Sequence, residues 1–532
     1  MKILVSDSLS KQGVELLEKA GFTVVVKSKM PKDELFREIK DADGLIVRSG
    51  TKVTEELIVA AEKLKVVGRA GSGLDNVDTP AATRRGIVVM NTPGGNTVTT
   101  AEHTMSMICA MSRRIPQATT SVKAGKWEKD KFMGVELFNK VLGIVGVGQI
   151  GSHLTKLAQG IGMRVIAYDP YLAADRAEKM GVEMVGLPDL FRRADIISVH
   201  TPLTPETKNL INAQAIATMK PGVMIVNCAR GGIIHEGDLY EALKSKRVAA
   251  AAFDVFEEEP IKADHPLLTL DNFICTPHIG AQTTEAQESV AVGIAEQIVD
   301  YFTKGIARGA VNIPSVSPEL LPRLQPYLSL AEQLGRLETQ LCEGGLERVT
   351  VEYSGDVTTL SIAPLTIAVL KGLLTPIMEA TVNYVNAPIV AKERGIEVKE
   401  VKSTDAGDFT SLIRVRVEAG KQSHLVAGTL YHKKEPRVVE IDQFKVEMVP
   451  EGHMLFIHNI DRPGVIGMVG KVLGDKNINI VRMQCALEKR GGNALLIIGS
   501  DQPFPGDVLN TIRSSKDILS VKVAALSYRL QS

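Results

Sequence analysis

"VLGIVGVGQIGS" (141–152) decides how this chain folds. An apolar run ends in Gly146-x-Gly148-x-x-Gly151, a spacing that turns a strand sharply into a helix. Gly146 permits the turn, Gly148 lets a pyrophosphate approach the backbone, and Gly151 lets the helix lie close to the strand. The helix start offers free N–H groups and partial positive charge to the phosphates. The next strand, "MRVIAYDP" (163–170), ends in Asp169, 18 residues beyond Gly151. A carboxylate there accepts hydrogen bonds from both ribose hydroxyls and repels a 2′-phosphate, so the cofactor expected is NAD.

Further strands follow: "DIISVHTP" (195–202), "VMIVNCARGG" (223–232), "AAAFDVF" (250–256) and "NFICTPHIG" (272–280). Each ends in a polar or glycine-rich turn, and in open α/β sheets the carboxyl ends of strands carry the ligand site. Before the fingerprint, β-rich runs such as "KILVSDS", "GLIVRS", "LKVVGRAG" and "GIVVMNTP" alternate with helical patterns, which implies parallel strands with crossover helices. Residues 97–120 read as one long helix joining the two units, and 284–305 as another. The Pro-bearing "NIPSVSPELLP" (312–322) marks a boundary. Residues 318–450 read as alternating helices and strands. The tail from about 452 reads βαββαβ.

With 532 residues the chain exceeds one hydrophobic core. Lys+Arg and Asp+Glu both number 62, a balance that speaks against a nucleic-acid or polybasic membrane partner. Five scattered cysteines, with no CxxC pair, read as reduced thiols. "MKILVSDSLS" lacks the apolar stretch of a secretory signal, and no run approaches a membrane span. A cytoplasmic protein without a metal is expected.

Three residues near strand ends suit the oxidation of a 2-hydroxy acid: Arg230 in "NCARGG", Glu259 in "FEEE" and His278 in "TPHIG". Arginine holds a carboxylate with its fork. Histidine takes the hydroxyl proton, because its ordinary pKa lies near neutrality. A carboxylate on the other ring nitrogen orients it and favours the imidazolium. Singly, each has a plainer explanation: a core histidine, a helix-edge ion pair, a solvated acidic run.

In order, "VLGIVGVGQIG", "VNCARGG", "FDVFEEEP" and "TPHIG" resemble the NAD-dependent D-2-hydroxyacid dehydrogenases. "GLIVRSGTKV", "VVGRAGSGLDNVD", "MNTPGGNTVTTAEHT" and "GKWEKDKFMGVEL" narrow the resemblance to the D-3-phosphoglycerate dehydrogenases, and "VNYVNAPIVAKERGI" and "EPRVVEID" to their long form. Residues 452–532 resemble an ACT domain. The resemblance implies two Rossmann-like parallel-sheet domains, an α+β intervening domain and a βαββαβ ACT domain. Its divisions are a substrate domain (1–97), an inserted NAD domain (98–284), a return segment (285–317), the intervening domain (318–450) and the ACT domain (451–532).

Carried over, the catalytic set falls on Arg230, Glu259 and His278. NAD contacts fall on Ser72, Gln149, Ile150, Asp169, Thr201, Cys228, Arg230, Asp254, His278, Gly280 and Ala281, beside the fingerprint glycines. Gln149 stands where the family commonly has Arg. Substrate contacts fall on Arg48, Ser49, Arg69 and Gly73, where two guanidinium groups would suit a phosphate. Lys129 and Lys131 are weaker candidates, and Arg437 is one for a further anion site. Asn459, Asp461 and Asn479 fall at the effector position, where L-serine is implied, in a homo-oligomer with a tetramer favoured. The residues leave other readings open: a glyoxylate or hydroxypyruvate reductase, and an NAD(H)-sensing binding protein.

Overall fold

A computed structural model of the chain describes residues 1–314, 320–378, 382–420, 422–489 and 491–526. The boundary expected at 317–318 lies outside the described residues, as does the chain's last stretch.

The first unit is a five-stranded parallel sheet of β1 (Lys2–Val5), β2 (Thr23–Val26), β3 (Gly44–Val47), β4 (Val66–Arg69) and β5 (Val88–Asn91), in the order β2-β1-β3-β4-β5. The central strand β3 is apolar and buried from end to end because helices cover both faces of the sheet. The second unit is a seven-stranded parallel sheet of β6 (Val141–Val145), β7 (Arg164–Tyr168), β8 (Glu183–Met184), β9 (Ile196–Val199), β10 (Val223–Asn227), β11 (Val248–Phe253) and β12 (Phe273–Cys275). Its order is β12-β11-β10-β9-β6-β7-β8, so the fingerprint strand β6 lies where the order reverses. Both sheets are Rossmann-like, as expected.

The single helix expected over 97–120 is two helices, Thr97–Ser112 and Ile115–Lys123. Arg114 between them is left-handed (φ +51°), and Pro116 opens the second helix, where its missing N–H costs nothing. The helix Thr284–Lys304 stays whole. Its Val290, Ile294, Ala295 and Ile298 pack with Ile3, Val5, Val66 and Val88 of the first sheet. The chain thus leaves the first unit through one helix and returns to it through another.

The third unit is a mixed sheet of β13 (Arg348–Gly355), β14 (Glu397–Ser403), β15 (Ser411–Ala419), β16 (Gln422–Tyr431), β17 (Glu435–Ile441) and β18 (Phe444–Met448). Helix–strand alternation stops at Glu393. From Glu397 onward five strands follow one another, and β15 to β18 pair antiparallel through short turns. The helices Leu321–Leu341 and Ala363–Leu374 supply much of its core. The fourth unit has the βαββαβ order expected: β19 (Gly452–Ile460), β20 (Ile480–Leu487), β21 (Asn493–Ser500) and β22 (Ile518–Leu526), with helices Val465–Gly474 and Gly506–Arg513. Met454, Phe456 and Leu495 of this unit join the core of the third. Val385 of the third unit is buried with the core of the first, and Asn383 Nδ2–H donates to Gly86 O (2.8 Å).

Candidate active site

The fingerprint folds as its glycines require. Gly146 has φ +93°, and a Cβ there would lie 2.7 Å from His200 O. A Cβ on Gly151 would lie 2.2 Å from Gly146 O, so only glycine lets the helix Gln149–Gly160 approach this closely. Gly148 faces open space at the helix start. Asp169, at the end of β7, accepts the N–H of Val147 on Oδ2 and of Tyr171 on Oδ1, each at 2.8 Å. Gln149 turns back toward the crossing helix and accepts the Thr97 hydroxyl (3.0 Å).

A cleft of about 310 Å³ runs between the two parallel-sheet units. From the first unit it is lined by Arg48, Ser49, Arg69, Ser72 and Gly73, and from the second by Ile150, Thr201, Cys228, Arg230, Asp254, His278, Gly280 and Ala281. Residues more than two hundred positions apart thus share one cavity. Buried polar atoms here have no hydrogen-bond partner among the described residues: Nε of Arg48, Nε of Arg69 and Oγ1 of Thr201. Such groups suit a polar ligand, because an unpaired buried donor is costly. A dinucleotide fits these residues: the open Gly148, the helix start, Asp169 and the Thr201 hydroxyl follow the carboxyl ends of the adjacent strands β6, β7 and β9.

The cleft is cationic from both sides: Arg48 and Arg69 come from the first unit and Arg230 from the second. Burial pulls the Arg69 guanidinium down to about 10, and the charges of Arg230 and Arg48 push the same way. Burial also lowers Arg48. Arg230 donates from Nε to Asp75 Oδ2 (2.9 Å) and from Nη1 to Ala229 O (2.6 Å). Ser72 donates to Asn96 Oδ1 (2.7 Å).

From the second unit too, His278 Nδ1 lies 2.7 Å from Glu259 Oε2. The hydrogen bond to Glu259 raises the imidazole's proton affinity. Burial opposes it, and the Glu259 and Asp254 charges add to it. For Glu259 burial pushes upward, but the bond and charge of His278 outweigh it and leave the carboxyl below its usual range. The Phe256 N–H, 3.0 Å from Glu259 Oε1, fixes the second oxygen. Burial and the Asp254 charge push the Cys228 thiol up to about 12, so it stays protonated and is no nucleophile. Burial pulls His200 down to about 4, so it is a neutral ring bonded to Ser198 (2.9 Å).

The effector candidates lie elsewhere, in the fourth unit. Asn459 is buried and donates to Ile460 O (2.9 Å), while its Oδ1 has no hydrogen-bond partner among the described residues. Asp461 accepts the Gly491 N–H (3.0 Å), and Asn479 is exposed just before β20. Lys131 pairs with Glu128 (2.7 Å), and Lys129 is exposed beside it. Arg437 pairs with Glu435 (2.8 Å) and lies over the Tyr431 ring. It borders a wider hollow of about 720 Å³ between the third and fourth sheets.

Residues 105–280 match the family described as D-isomer specific 2-hydroxyacid dehydrogenase, NAD binding domain, and residues 323–442 match the D-3-phosphoglycerate dehydrogenase intervening domain. D-3-phosphoglycerate dehydrogenase of Methanocaldococcus jannaschii is 46% identical over 527 residues, 99% of this chain and 100% of that one. The enzyme of Bacillus subtilis is 41% identical over 530 residues, 99% of each. The chain belongs to the D-3-phosphoglycerate dehydrogenase family. Among solved structures, NAD⁺-bound 3-phosphoglycerate dehydrogenase of Entamoeba histolytica is 35% identical with a TM-score of 0.50, covering 59% of this chain and 99% of that one. TT0316 protein of Thermus thermophilus is 32% identical with a TM-score of 0.55, covering 58% and 100%.

As a member of this family the chain is an NAD-dependent oxidoreductase. Sequence reading missed two residues of the cleft's surroundings: Asp75, which holds Arg230, and His103, which meets Asp254 together with Thr276 of the expected strand-end turn. Asp75 lies inside the quoted "GSGLDNVD", two positions from Gly73. His103 gave no signal, because a lone histidine in a helix pattern carries no spacing. Among the described residues no cluster of His, Cys, Asp and Glu could hold a metal, and no helix is long and apolar enough to cross a membrane.

Proposed function

We propose that the chain oxidises D-3-phosphoglycerate at C2 to 3-phosphohydroxypyruvate, the entry to serine biosynthesis. The observation that carries this reading is one cleft that gathers three guanidinium groups, Arg48 and Arg69 from the first unit and Arg230 from the second, with His278, itself bonded to Glu259. A substrate with a phosphate at one end and a carboxylate at the other needs that many cations. Arg48 and Arg69 take the phosphate, with Ser49 beside it, and the Gly73 backbone, next to Arg230, meets the carboxylate end. Arg230, steadied by Asp75, takes the carboxylate and the C2 oxygen. His278 accepts the C2 hydroxyl proton, and Glu259 stabilises the imidazolium that forms. NAD, held along the fingerprint helix by Gly146, Gly148, Gly151, Gln149, Ile150, Asp169 and Thr201, supplies the acceptor for the C2 hydride.

The finer parts of the reading concern the carboxy-terminal half. The βαββαβ unit fits an ACT-type sensor in which Asp461, Asn479 and Asn459 bind L-serine between copies of a cytoplasmic homotetramer. Exposed apolar residues on the fourth sheet, Val481, Leu487 and Val523, support pairing of copies.

The test is NADH formation, followed by absorbance, with 3-phosphoglycerate, glycerate or no added substrate. 3-Phosphoglycerate is expected to be preferred at least a hundredfold, since rejecting a substrate that leaves buried cations unpaired is worth several kcal/mol, on the order of 3. Equal rates with glycerate would identify a general hydroxyacid enzyme. NADH binding without turnover would identify a sensor.

A further inference from the structure

The crossing helix Thr97–Ser112 brings His103 against the turn that carries His278. The His103 side chain is 16% exposed, and its Nε2 lies 3.2 Å from both Asp254 Oδ1 and Thr276 Oγ1. The Thr276 hydroxyl gives its one proton to Asp254, so its oxygen is left to accept. A carboxylate also only accepts. Both neighbours therefore require His103 to carry its proton on Nε2. Asp254 in turn accepts the N–H groups of Ile279 and Gly280, each at 2.8 Å, the two residues that follow His278. His278 itself has φ +53°, a left-handed conformation that a side-chain-bearing residue holds only when its surroundings enforce it. Its own N–H donates to Thr276 O (3.0 Å). Each of these anchors leads back to Asp254 or Thr276, and both meet His103.

We propose that His103 is a positioning residue: its Nε2–H clamps Asp254 and Thr276 together, so that the turn 276–280 presents the His278 imidazole to Glu259 and to the cleft. The inference rests on the reading of His278 as proton acceptor. The groups that face His278 are Glu259, Asp254 and Arg230, and those that face Asp254 are His103, Thr276, Cys228 and the turn's amides. Burial pushes the Asp254 carboxyl up, but its hydrogen bonds from His103, Thr276 and Ile279 hold it below its usual range. Without the His103 donor a carboxylate 1% exposed loses part of that compensation and takes up a proton more readily. A neutral Asp254 grips the Ile279 and Gly280 amides less well, and its charge no longer supports the imidazolium. His103 also joins the site to the crossing point: on the same helix Thr99 Oγ1 lies 3.2 Å from Thr283 Oγ1, beside the return helix.

The test uses two substitutions in the full chain. His103→Leu fills the space without a donor, whereas His103→Gln sets an amide N–H close to the Nε2 position. The His278 titration is followed by NMR without ligand, its signal assigned by its loss in His278→Gln. In His103→Leu the midpoint is expected to fall by roughly half a pH unit or more. kcat is expected to fall about tenfold while the KM for NAD stays within about twofold. His103→Gln returns both to within about twofold of the parent. A purely structural role lowers yield or melting temperature and leaves the midpoint in place. An unchanged His103→Leu, or a His103→Gln as impaired as His103→Leu, overturns the proposal. Should His103→Leu not fold, His103→Asn, whose amide falls a methylene short, is compared with His103→Gln instead. If the parent forms no NADH from 3-phosphoglycerate, the functional reading fails on its own, and the NMR midpoint still decides His103.

Discussion

The cleft and the core under the third sheet each enclose a carboxylate, and the chain treats the two in opposite ways. Asp254 is 1% exposed and is surrounded by donors from Thr276, Ile279, Gly280 and His103, so it stays ionised below its usual range. Glu338, on the helix Leu321–Leu341, is 0% exposed, and neither oxygen has a hydrogen-bond partner of good geometry among the described residues. Burial, then the Asp442 charge, drives its carboxyl well above the usual range. The Val426 backbone and Arg416 pull the other way without offsetting this. One buried acid is a fixed charge that shapes a site. The other is a neutral side chain in an apolar seam. The lesson is that burial alone does not set ionisation; the count of aimed donors does.

The largest effect expected from this contrast is at Asp254. Asp254→Asn puts an amide N–H where the site supplies only donors, so the turn 276–280 loses its grip. kcat for NADH formation is expected to fall on the order of a hundredfold or more. His278 owes its raised proton affinity first to Glu259 and then in part to Asp254. Oxidation needs the unprotonated imidazole, so the rise of kcat/KM with pH should begin at lower pH in the variant. A parental rate and an unshifted profile would break the comparison.

A smaller effect tests whether the Arg230 guanidinium is held as rigidly as the acid. A Cβ at Gly73 would lie 2.2 Å from Arg230 Nη2 and 2.8 Å from Asp75 Oδ2. Gly73→Ala should displace the guanidinium and raise the KM for 3-phosphoglycerate about tenfold, with the KM for NAD unchanged. Steady-state kinetics with each substrate varied in turn decides it.

The smallest effect is at Glu338 and appears in stability, not turnover. Its folded-state affinity for protons exceeds that of the unfolded chain. Its contribution is therefore fully present below the ordinary carboxyl range and is lost as pH rises toward the folded value, at most about 1.4 kcal/mol per pH unit. Glu338→Gln removes that slope. Urea unfolding should show parent and variant close together at pH 5 and the variant ahead by about 1–3 kcal/mol at pH 7, with NADH formation within about twofold. Identical gaps at both pH values would show Glu338 to be ionised in the fold.

Much of the fold was legible because its signals are local. The fingerprint, the alternation of strand and helix before it and the βαββαβ tail each rest on spacings of a few residues, and each element formed where expected. The break at Arg114 had one local sign, Pro116, which disfavours continuing a helix through it, but apolar periodicity runs on past it and the left-handed residue itself has no sequence mark. Arg230, Glu259 and His278 could be named from short motifs, yet the reach of Arg230 to Asp75 spans 155 positions and has no local trace. Glu338 shares a helical stripe with Leu334 and Leu341, so its burial could have been suspected, but its lack of partners could not.

By itself the sequence determined that a strand turns into a phosphate-facing helix at Gly146, that an acid follows on the next strand, and that charge and apolar content balance across a long chain. These follow from bond geometry and side-chain chemistry over short distances. Only the tertiary structure decided that Arg48 and Arg69 face Arg230 across one cleft, that His103 meets the turn of His278, and that one buried acid is charged while another is neutral. Those outcomes depend on which distant groups share a low-dielectric space, and only the packed chain brings them together.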